Sequence, residues 1–182
     1  MRLSNAALPE IAGSAALPAY DRAAVTPGIV HLGIGAFYRS HAAVYVDDCL
    51  ARGEQGWGIV GASLRSAETR DALAPQDGLY TLALRDSGRQ SLRIVGALQE
   101  ILVAPESPQV LLDRLTDPAI RIVTLTITEK GYTVDLGTGA LRRDHPDILH
   151  DLANPRAPRS ALGFLAEAIE QRRTRGHRPF TL

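Results

Sequence analysis

The sequence has a single cysteine, no excess of either charge and no long apolar run. One cysteine, Cys49, excludes a disulfide within the chain and is typical of a protein from a reducing compartment. Lysine plus arginine number 20, as do aspartate plus glutamate, so the net positive charge that attracts nucleic acid or an acidic membrane surface is lacking. No apolar run approaches the roughly 20 residues that cross a bilayer. We therefore expect a cytoplasmic protein, monomeric or weakly associating, with neither nucleic acid nor membrane as partner.

The chain has 182 residues, 45% of them hydrophobic, which is enough for one sizeable domain with a real core. Proline interrupts the first part at Pro9, Pro18 and Pro27, and we predict an irregular leader over residues 1–27. Residues 28–182 then form the domain.

The most informative stretch is residues 28–52, where an apolar run is followed by a glycine pair and an amphipathic segment. Gly33 and Gly35 would form a tight turn between a strand and a helix, an order that places helix N–H groups against a phosphate. Tyr38 stands where the third glycine of G-x-G-x-x-G would be, so the motif is partial. A nucleotide-binding turn and an ordinary strand-to-helix turn both remain open on this stretch alone.

Hydrophobic periodicity predicts the other elements of an α/β fold. Asp86-Ser87-Gly88 has turn chemistry between two strands, which indicates an inserted hairpin. The fold class expected from these elements is α/β, with a sheet that the hairpin makes mixed rather than purely parallel. Strands are predicted at 28–34, 57–63, 79–84, 91–97 and 120–128, and helices at 39–52, 106–116 and 160–175. Ser160 is the expected N-cap of the last helix, and Tyr45, Val110 and Ile169 are assigned to apolar stripes.

The polar segment 64–71 follows the second strand, where dinucleotide folds place an acidic residue on the adenosine ribose. Glu68 is the first candidate and Asp71 the second, although their distance from the glycines, about 30 residues, exceeds the usual value of about 20. The alternative is a solvated loop in which Glu68 pairs with Arg70. Arg65 and Arg70 could instead hold a 2′-phosphate, which would favour NADP.

The strand at 120–128 places Thr124, Thr126 and Thr128 on one face, because side chains alternate along a strand. Residues 129–132 follow at the carboxyl end of this strand, where open α/β sheets bind ligands. This segment is the second functional candidate.

Other ionisable side chains favour structural roles. His31 lies inside a predicted buried strand and is expected to be a hydrogen-bonded core residue, whereas His41 could reach a phosphate. Lys130 is assigned to the surface rather than to catalysis. Asp47 and Asp48 are adjacent on a helix and are not expected to face the same way. The polar group Asp144, His145, His150 and Asp151 matches no zinc spacing, and turn or cap roles are expected for it.

Five segments together resemble one family, the long-chain mannitol dehydrogenases, which are polyol and uronate oxidoreductases. The motifs are IVHLGIGAFYRSH at 29–41, WGIVGASLRS at 57–66, DGLYTL at 77–82, TLTITEKGY at 124–132 and PFTL at 179–182. The resemblance runs from about Gly28 to the end of the chain.

The resemblance implies a Rossmann-like domain, with a doubly wound, mostly parallel sheet and the inserted hairpin. This domain would bind NAD, with NADP possible, for hydride transfer with a polyol, keto-sugar or uronate. It also implies that the catalytic lysine belongs to a helical C-terminal domain absent from this chain, so that no catalytic residue and no metal ligand is assigned here. The cofactor-binding residues implied are Gly33, Ile34, Gly35, Ala36, Phe37, Tyr38, Arg39, Glu68, Thr126 and Glu129. A methyltransferase-like domain, against which TEKGY argues, and a non-catalytic nucleotide-binding module are the alternatives.

Overall fold

The computed structural model describes residues 2–127, 129–135 and 137–182, without the side chains of Glu129 and Lys130. Within these residues the strands are β1 (Pro27–Leu32), β2 (Gly58–Ser63), β3 (Tyr80–Asp86), β4 (Arg89–Val95), β5 (Leu98–Val103) and β6 (Ile122–Leu125). The α-helices are α1 (Leu8–Ile11), α2 (Ala36–Ser40), α3 (Ala42–Ala51), α4 (Glu68–Leu73), α5 (Pro108–Thr116), α6 (Pro146–Ala153) and α7 (Ala161–Thr174). Short 3₁₀ helices occupy Asn5–Ala7, Arg22–Ala24, Ala74–Gln76 and Glu129–Tyr132.

Four strands form a parallel sheet in the order β5-β2-β1-β6. Val30 of the central strand pairs with Val60 on one side and Val123 on the other. β1 is thus an inner strand, and helices cover both of its faces, which explains why its sequence is apolar on both faces. The mostly parallel α/β sheet predicted from the sequence is thereby confirmed.

Helices cover both faces of this sheet. Val30 and Leu32 belong to the cluster that contains the buried leucines of α5 and Phe164 of α7. Ile29 belongs to the opposite cluster, which includes Leu50 of α3. The two-residue alternation of β1 therefore divides its side chains between two cores.

The predicted hairpin is present as a separate two-stranded sheet, β3-β4, with Asp86 opposite Arg89. Ser87 and Gly88 both have positive φ, the geometry of the turn that suits tight hairpins. The segment predicted as an irregular leader contains α1 and two 3₁₀ helices between Asn5 and Ala24. Ala16 also exchanges backbone hydrogen bonds with Leu92 and Ile94 of β4.

Several predicted boundaries are wrong. The first helix was expected at 39–52, but it starts at Ala36 and breaks at His41, whose φ of −125° and ψ of −86° are not helical. The strand expected at 120–128 is only Ile122–Leu125 among the described residues, and Thr128 lies outside them. The expected loop at 64–71 contains the start of α4.

Besides α1 and α4, the elements β5 and α6 were not predicted from the sequence. Three residues assigned to apolar stripes are instead exposed: Tyr45 (67%), Val110 (44%) and Ile169 (45%). The α7 prediction is confirmed, since the Ser160 side chain accepts a hydrogen bond from the Gly163 amide, 2.9 Å away. Among the residues the structure describes, no helix has the length and apolar character needed to cross a membrane.

The polar group around 144–151 has the cap roles expected of it. His145 Nδ1 accepts from the Asp147 amide at the start of α6. The buried carboxylate of Asp151 accepts from the backbone amides of Arg159 and Ser160 and from the Ser160 hydroxyl. These contacts fasten α6 to the start of α7.

Candidate functional site

A cavity of about 250 Å³ opens at the carboxyl ends of β1, β2 and β6. In open α/β sheets this edge is where ligands bind. The cavity is lined by Gly33, Ile34, Gly35, Ser63, Leu64, Arg65, Ser66, Thr69, Ile127 and Gly131. The fold thus brings the predicted glycine turn together with the segments that follow β2 and β6.

Gly33 is a glycine because the fold requires one. Its φ is +95°, a conformation that residues with a side chain rarely adopt. A Cβ at this position would lie 2.6 Å from the backbone oxygen of Thr126. Gly33 therefore lets β1 turn sharply while staying close to the segment after β6.

Gly35 is different, because no contact among the described residues requires a glycine there. Its φ of −78° and ψ of 178° suit any residue. Of the atoms that the structure describes, a Cβ added there would meet the Gly33 oxygen alone, at 3.8 Å, an ordinary contact. The space that this missing side chain leaves belongs to the cavity, so the backbone of the turn is open to close approach by a ligand.

The backbone after Gly35 provides the donors of this turn. The Gly33 amide donates to the Ala62 oxygen and the Gly35 amide to the Gly33 oxygen, so both are used within the fold. The first amides of a helix have no partner inside it, and here they are those at the start of α2. The two aromatic side chains of α2 diverge: Phe37 is exposed and Tyr38 is buried.

Arg39 stabilises the glycine turn through hydrogen bonds of its side chain and its carbonyl. Its guanidinium donates to the Ile34 carbonyl, with Nη1 2.7 Å from the oxygen, and its own carbonyl accepts from the Tyr80 hydroxyl. Neither Phe37, Tyr38 nor Arg39 lines the cavity. His41, considered for a phosphate, bonds through Nδ1 to the Phe37 carbonyl and does not line it either.

Beyond β2, the structure separates the candidate ribose and phosphate residues. Arg65 is exposed at the cavity, whereas Glu68 is exposed in the first turn of α4 and does not line it. The alternative pairing of Glu68 with Arg70 is not found, since Arg70 bonds to Glu106 and Asp71. Those bonds, first to Glu106 and then to Asp71, raise the pKa of Arg70.

Thr126 and His31 lie on the β6 side of the turn. Thr126 is exposed and its hydroxyl donates to the Gly33 carbonyl, 2.8 Å away. His31 is fully buried, as expected, and burial lowers its pKa to about 4. Thr124 and Thr126 both contact His31, which confirms that these two threonines share a face. The Glu129 side chain, the other predicted contact here, lies outside the described residues.

A second cavity of about 590 Å³ adjoins the first and shares Leu64 and Arg65 with it. It lies between the carboxyl end of β5 and the start of α7, with Pro105 and Phe164 in its wall. The sequence indicated the segments 64–71 and 129–132 by their position after strands, but it did not single out Ser66, Thr69, Ile127 or Gly131 within or beside them. Most of the second cavity was not indicated.

A still larger cavity, of about 830 Å³, lies between the leader and the first residues of β5. Arg22 is in its wall, but this guanidinium donates to the carbonyls of Gly96 and Leu98 and so holds the leader to the domain. The cavity is at the opposite end of the sheet from the glycine turn. The carboxyl edge therefore remains the candidate site, since open α/β sheets bind ligands there. Among the described residues, no group of three or more His, Cys, Asp or Glu side chains is arranged to hold a metal ion.

A parallel sheet covered by helices on both faces, with a glycine turn at the end of its central strand, defines a Rossmann-like domain. The family model described as the mannitol dehydrogenase Rossmann domain matches residues 27–182. The chain therefore belongs to the mannitol dehydrogenase family, as the sequence motifs predicted.

Individual relatives agree with this assignment. The mannitol 2-dehydrogenase of Cereibacter sphaeroides is 46% identical, over 91% of this chain and 35% of its own length. The polyol:NADP oxidoreductase of Gluconobacter oxydans is 41% identical, over 91% of this chain and 35% of its own length. The ternary complex of Pseudomonas fluorescens mannitol 2-dehydrogenase with NAD and D-mannitol superimposes with a TM-score of 0.94 at 42% identity, over 99% of this chain and 37% of that one. The chain thus spans little more than a third of the length of these relatives.

The two glycines are expected to respond differently to alanine. Gly33→Ala should lower the free energy of unfolding by about 1–3 kcal/mol, because alanine is strained at positive φ and its Cβ meets the Thr126 oxygen. Gly35→Ala, the matched control, should change it by less than about 0.5 kcal/mol. Urea denaturation of both variants measures this, and equal losses would contradict the distinction.

Proposed function

We propose that the chain is the cofactor-binding part of an NAD- or NADP-dependent dehydrogenase that acts on a polyol or on the corresponding keto-sugar or uronate. Gly35 carries this proposal. The fold leaves its backbone free to hold any residue, so close approach by a ligand explains the glycine. The Pseudomonas fluorescens relative, similar over almost the whole chain, is a complex with NAD and D-mannitol.

The residues of this chain bind and orient the cofactor. We assign the pyrophosphate to the turn from Gly33 to Arg39, where the amides at the start of α2 are available as donors. Ser66 and Thr69 also line the cavity and add hydroxyl groups to it. Thr126 and Glu129 are assigned to the nicotinamide side. The bound cofactor supplies or accepts the hydride, and the general acid/base is expected outside the residues of this chain.

NAD is the first choice of cofactor and NADP the alternative. Glu68 is the residue proposed for the ribose hydroxyls, which a carboxylate favours in NAD. Arg65 supports NADP, since it lines the cavity and a guanidinium suits a 2′-phosphate. Arg70 supports it less, because its donors already bond to Glu106 and Asp71. A cytoplasmic location and a monomer or weak oligomer are proposed from composition alone.

Cofactor binding by the chain tests the proposal. We expect saturable binding of NADH or NADPH in calorimetric titrations, and a loss of affinity of about 10- to 100-fold in Gly35→Val, because an overpacked contact costs about 1–3 kcal/mol. The tighter of the two nucleotides decides between the roles of Glu68 and Arg65.

The controls separate the alternatives. Leu84→Val, at an exposed position of the hairpin, should bind like the unchanged chain. Binding of S-adenosylmethionine in place of both nucleotides would favour the methyltransferase-like alternative. A folded chain that binds none of the three ligands would contradict the proposal.

A further inference from the structure

His31 occupies the middle of β1, with strands paired on both sides of it and no exposed surface. A buried imidazole must find hydrogen-bond partners for both ring nitrogens. Nδ1 lies 2.8 Å from the Thr124 hydroxyl oxygen. Nε2 lies 2.9 Å from the Thr126 hydroxyl oxygen and 3.2 Å from the Gly33 carbonyl oxygen. One side chain thus joins β1 to β6 and to the glycine turn.

The direction of these bonds follows from the carbonyl, which only accepts. The Thr126 hydroxyl lies 2.8 Å from the Gly33 oxygen and donates to it. Its own oxygen then accepts from Nε2–H of His31, the shorter of the two contacts of that nitrogen. The lone pair of Nδ1 accepts from the Thr124 hydroxyl. This assigns a neutral imidazole with its proton on Nε2.

The Gly33 carbonyl is the last acceptor in this series of bonds, and it also bonds within the turn itself. It accepts from the Thr126 hydroxyl and from the Gly35 amide, 2.6 Å away. Its orientation fixes the peptide plane between Gly33 and Ile34, and therefore the open backbone at Gly35 that lines the cavity. A small rotation of this carbonyl would move the surface proposed to meet the cofactor.

A second contact connects His31 to α2. The ring of Tyr38 is stacked on the imidazole, with centroids 3.3 Å apart and planes 9° apart. Tyr38 is buried and belongs to the first turns of α2, directly after Gly35. His31 consequently contacts Gly33, at the start of the turn, and Tyr38, in the helix that follows it.

We propose that His31 is a positioning residue for the cofactor turn: its Nε2–H holds the Thr126 hydroxyl, which in turn holds the Gly33 carbonyl. It touches neither cofactor nor substrate. The inference rests on the proposed function only for its effect on binding, because the geometry of the turn can be measured without a ligand.

The first measurement uses the ligand-free chain. Nitrogen NMR of His31 should show a neutral imidazole protonated on Nε2. In His31→Leu, which keeps an apolar side chain but donates nothing, the Gly35 amide should exchange faster with solvent, because the Gly33 carbonyl that it bonds is no longer held. His31→Gln, whose amide can donate to Thr126, should restore the slow exchange. Unchanged exchange of the Gly35 amide in His31→Leu, or no rescue by His31→Gln, would overturn the proposal.

The second measurement is affinity for NADH or NADPH at a temperature where all variants are folded. His31→Leu should bind about tenfold more weakly and His31→Gln within about twofold of the unchanged chain, the range expected for one aligned hydrogen bond. A role in stability alone would lower the melting temperature and leave the affinity of the folded protein unchanged.

Thr126 provides the test of coupling. If His31 acts through Thr126, the double variant His31→Leu/Thr126→Val should bind no more weakly than Thr126→Val alone, whereas additive losses would overturn the proposal. Thr124→Val is the matched control, because Thr124 bonds to the other ring nitrogen. If His31→Leu does not fold, Thr126→Val and His31→Gln decide by the Gly35 amide signal. If the unchanged chain binds neither nucleotide, the proposed function fails and the ligand-free spectra still decide the role of His31.

Discussion

Asp47→Ala is expected to lower the free energy of unfolding by about 3–5 kcal/mol, because it removes the shared acceptor of a buried polar network. Asp47 is 1% exposed. Its carboxylate accepts from the Tyr20 hydroxyl, the Gly96 amide at 2.8 Å and the Arg93 guanidinium at 2.6 Å. The leader, α3 and the hairpin all meet at this one side chain. Urea denaturation at pH 7 measures the loss.

Asp48 is the control for this substitution. It also reaches Arg93, with the two atoms 2.6 Å apart, so both adjacent aspartates contact one guanidinium although one is buried and the other exposed. Its side chain is 41% exposed, and Asp48→Ala should cost less than about 1 kcal/mol, as exposed ion pairs do. Equal losses at the two positions would show that the ion pair with Arg93, rather than burial, determines the effect.

Arg172→Met is expected to cost a similar amount, about 3–5 kcal/mol, because it leaves several buried carbonyls without donors. Arg172 is 2% exposed, and burial lowers its pKa. Its guanidinium donates to four backbone oxygens, those of Leu115, Asp117, Ile120 and Arg178. Two of these acceptors lie at the C-terminal end of α5, where the helix dipole favours a positive charge.

Arg173, the next residue of α7, is the matched control for Arg172. Arg173 has a side chain that is 74% exposed and pairs with Glu170. Arg173→Met should change the free energy of unfolding by less than about 1 kcal/mol. Thermal and urea denaturation of Arg172→Met and Arg173→Met compare the two losses in the free energy of unfolding, one for a buried arginine that donates to carbonyls and one for an arginine on the surface. A small loss in Arg172→Met would mean that water replaces the missing donors.

The sequence predicts those parts of the fold that depend on local chemistry. The strand before Gly33, the Ser87-Gly88 hairpin turn and the Ser160 cap are all confirmed, because each depends on residues within a few positions. Strand β5 was missed because Gln99 and Glu100 interrupt its apolar pattern and only two residues separate it from β4. Its strand structure comes from pairing with β2, which is about 40 residues earlier.

In the candidate site, too, the sequence predicts what nearby residues determine and not what distant segments form together. The glycine turn follows from the sequence, but the wall formed by Thr69, Ile127 and Gly131 exists only because β2 and β6 end at the same edge. Arg172 looks like an ordinary surface residue in the last turn of a helix. Its burial depends on carbonyls from α5 and the segment after it, which no local pattern reveals.

The pairing of β1 with β6 also determines how long β1 lacks a neighbouring strand while the chain is being synthesised. His31 and its partner Thr124 are 93 residues apart. A ribosome that adds about 5–20 residues per second needs roughly 5–20 s to supply that second partner. During this interval one edge of an apolar strand has no neighbour, and such edges pair readily with other chains. Slower growth at low temperature with ample chaperone should therefore raise the yield of folded protein more than a stronger promoter does.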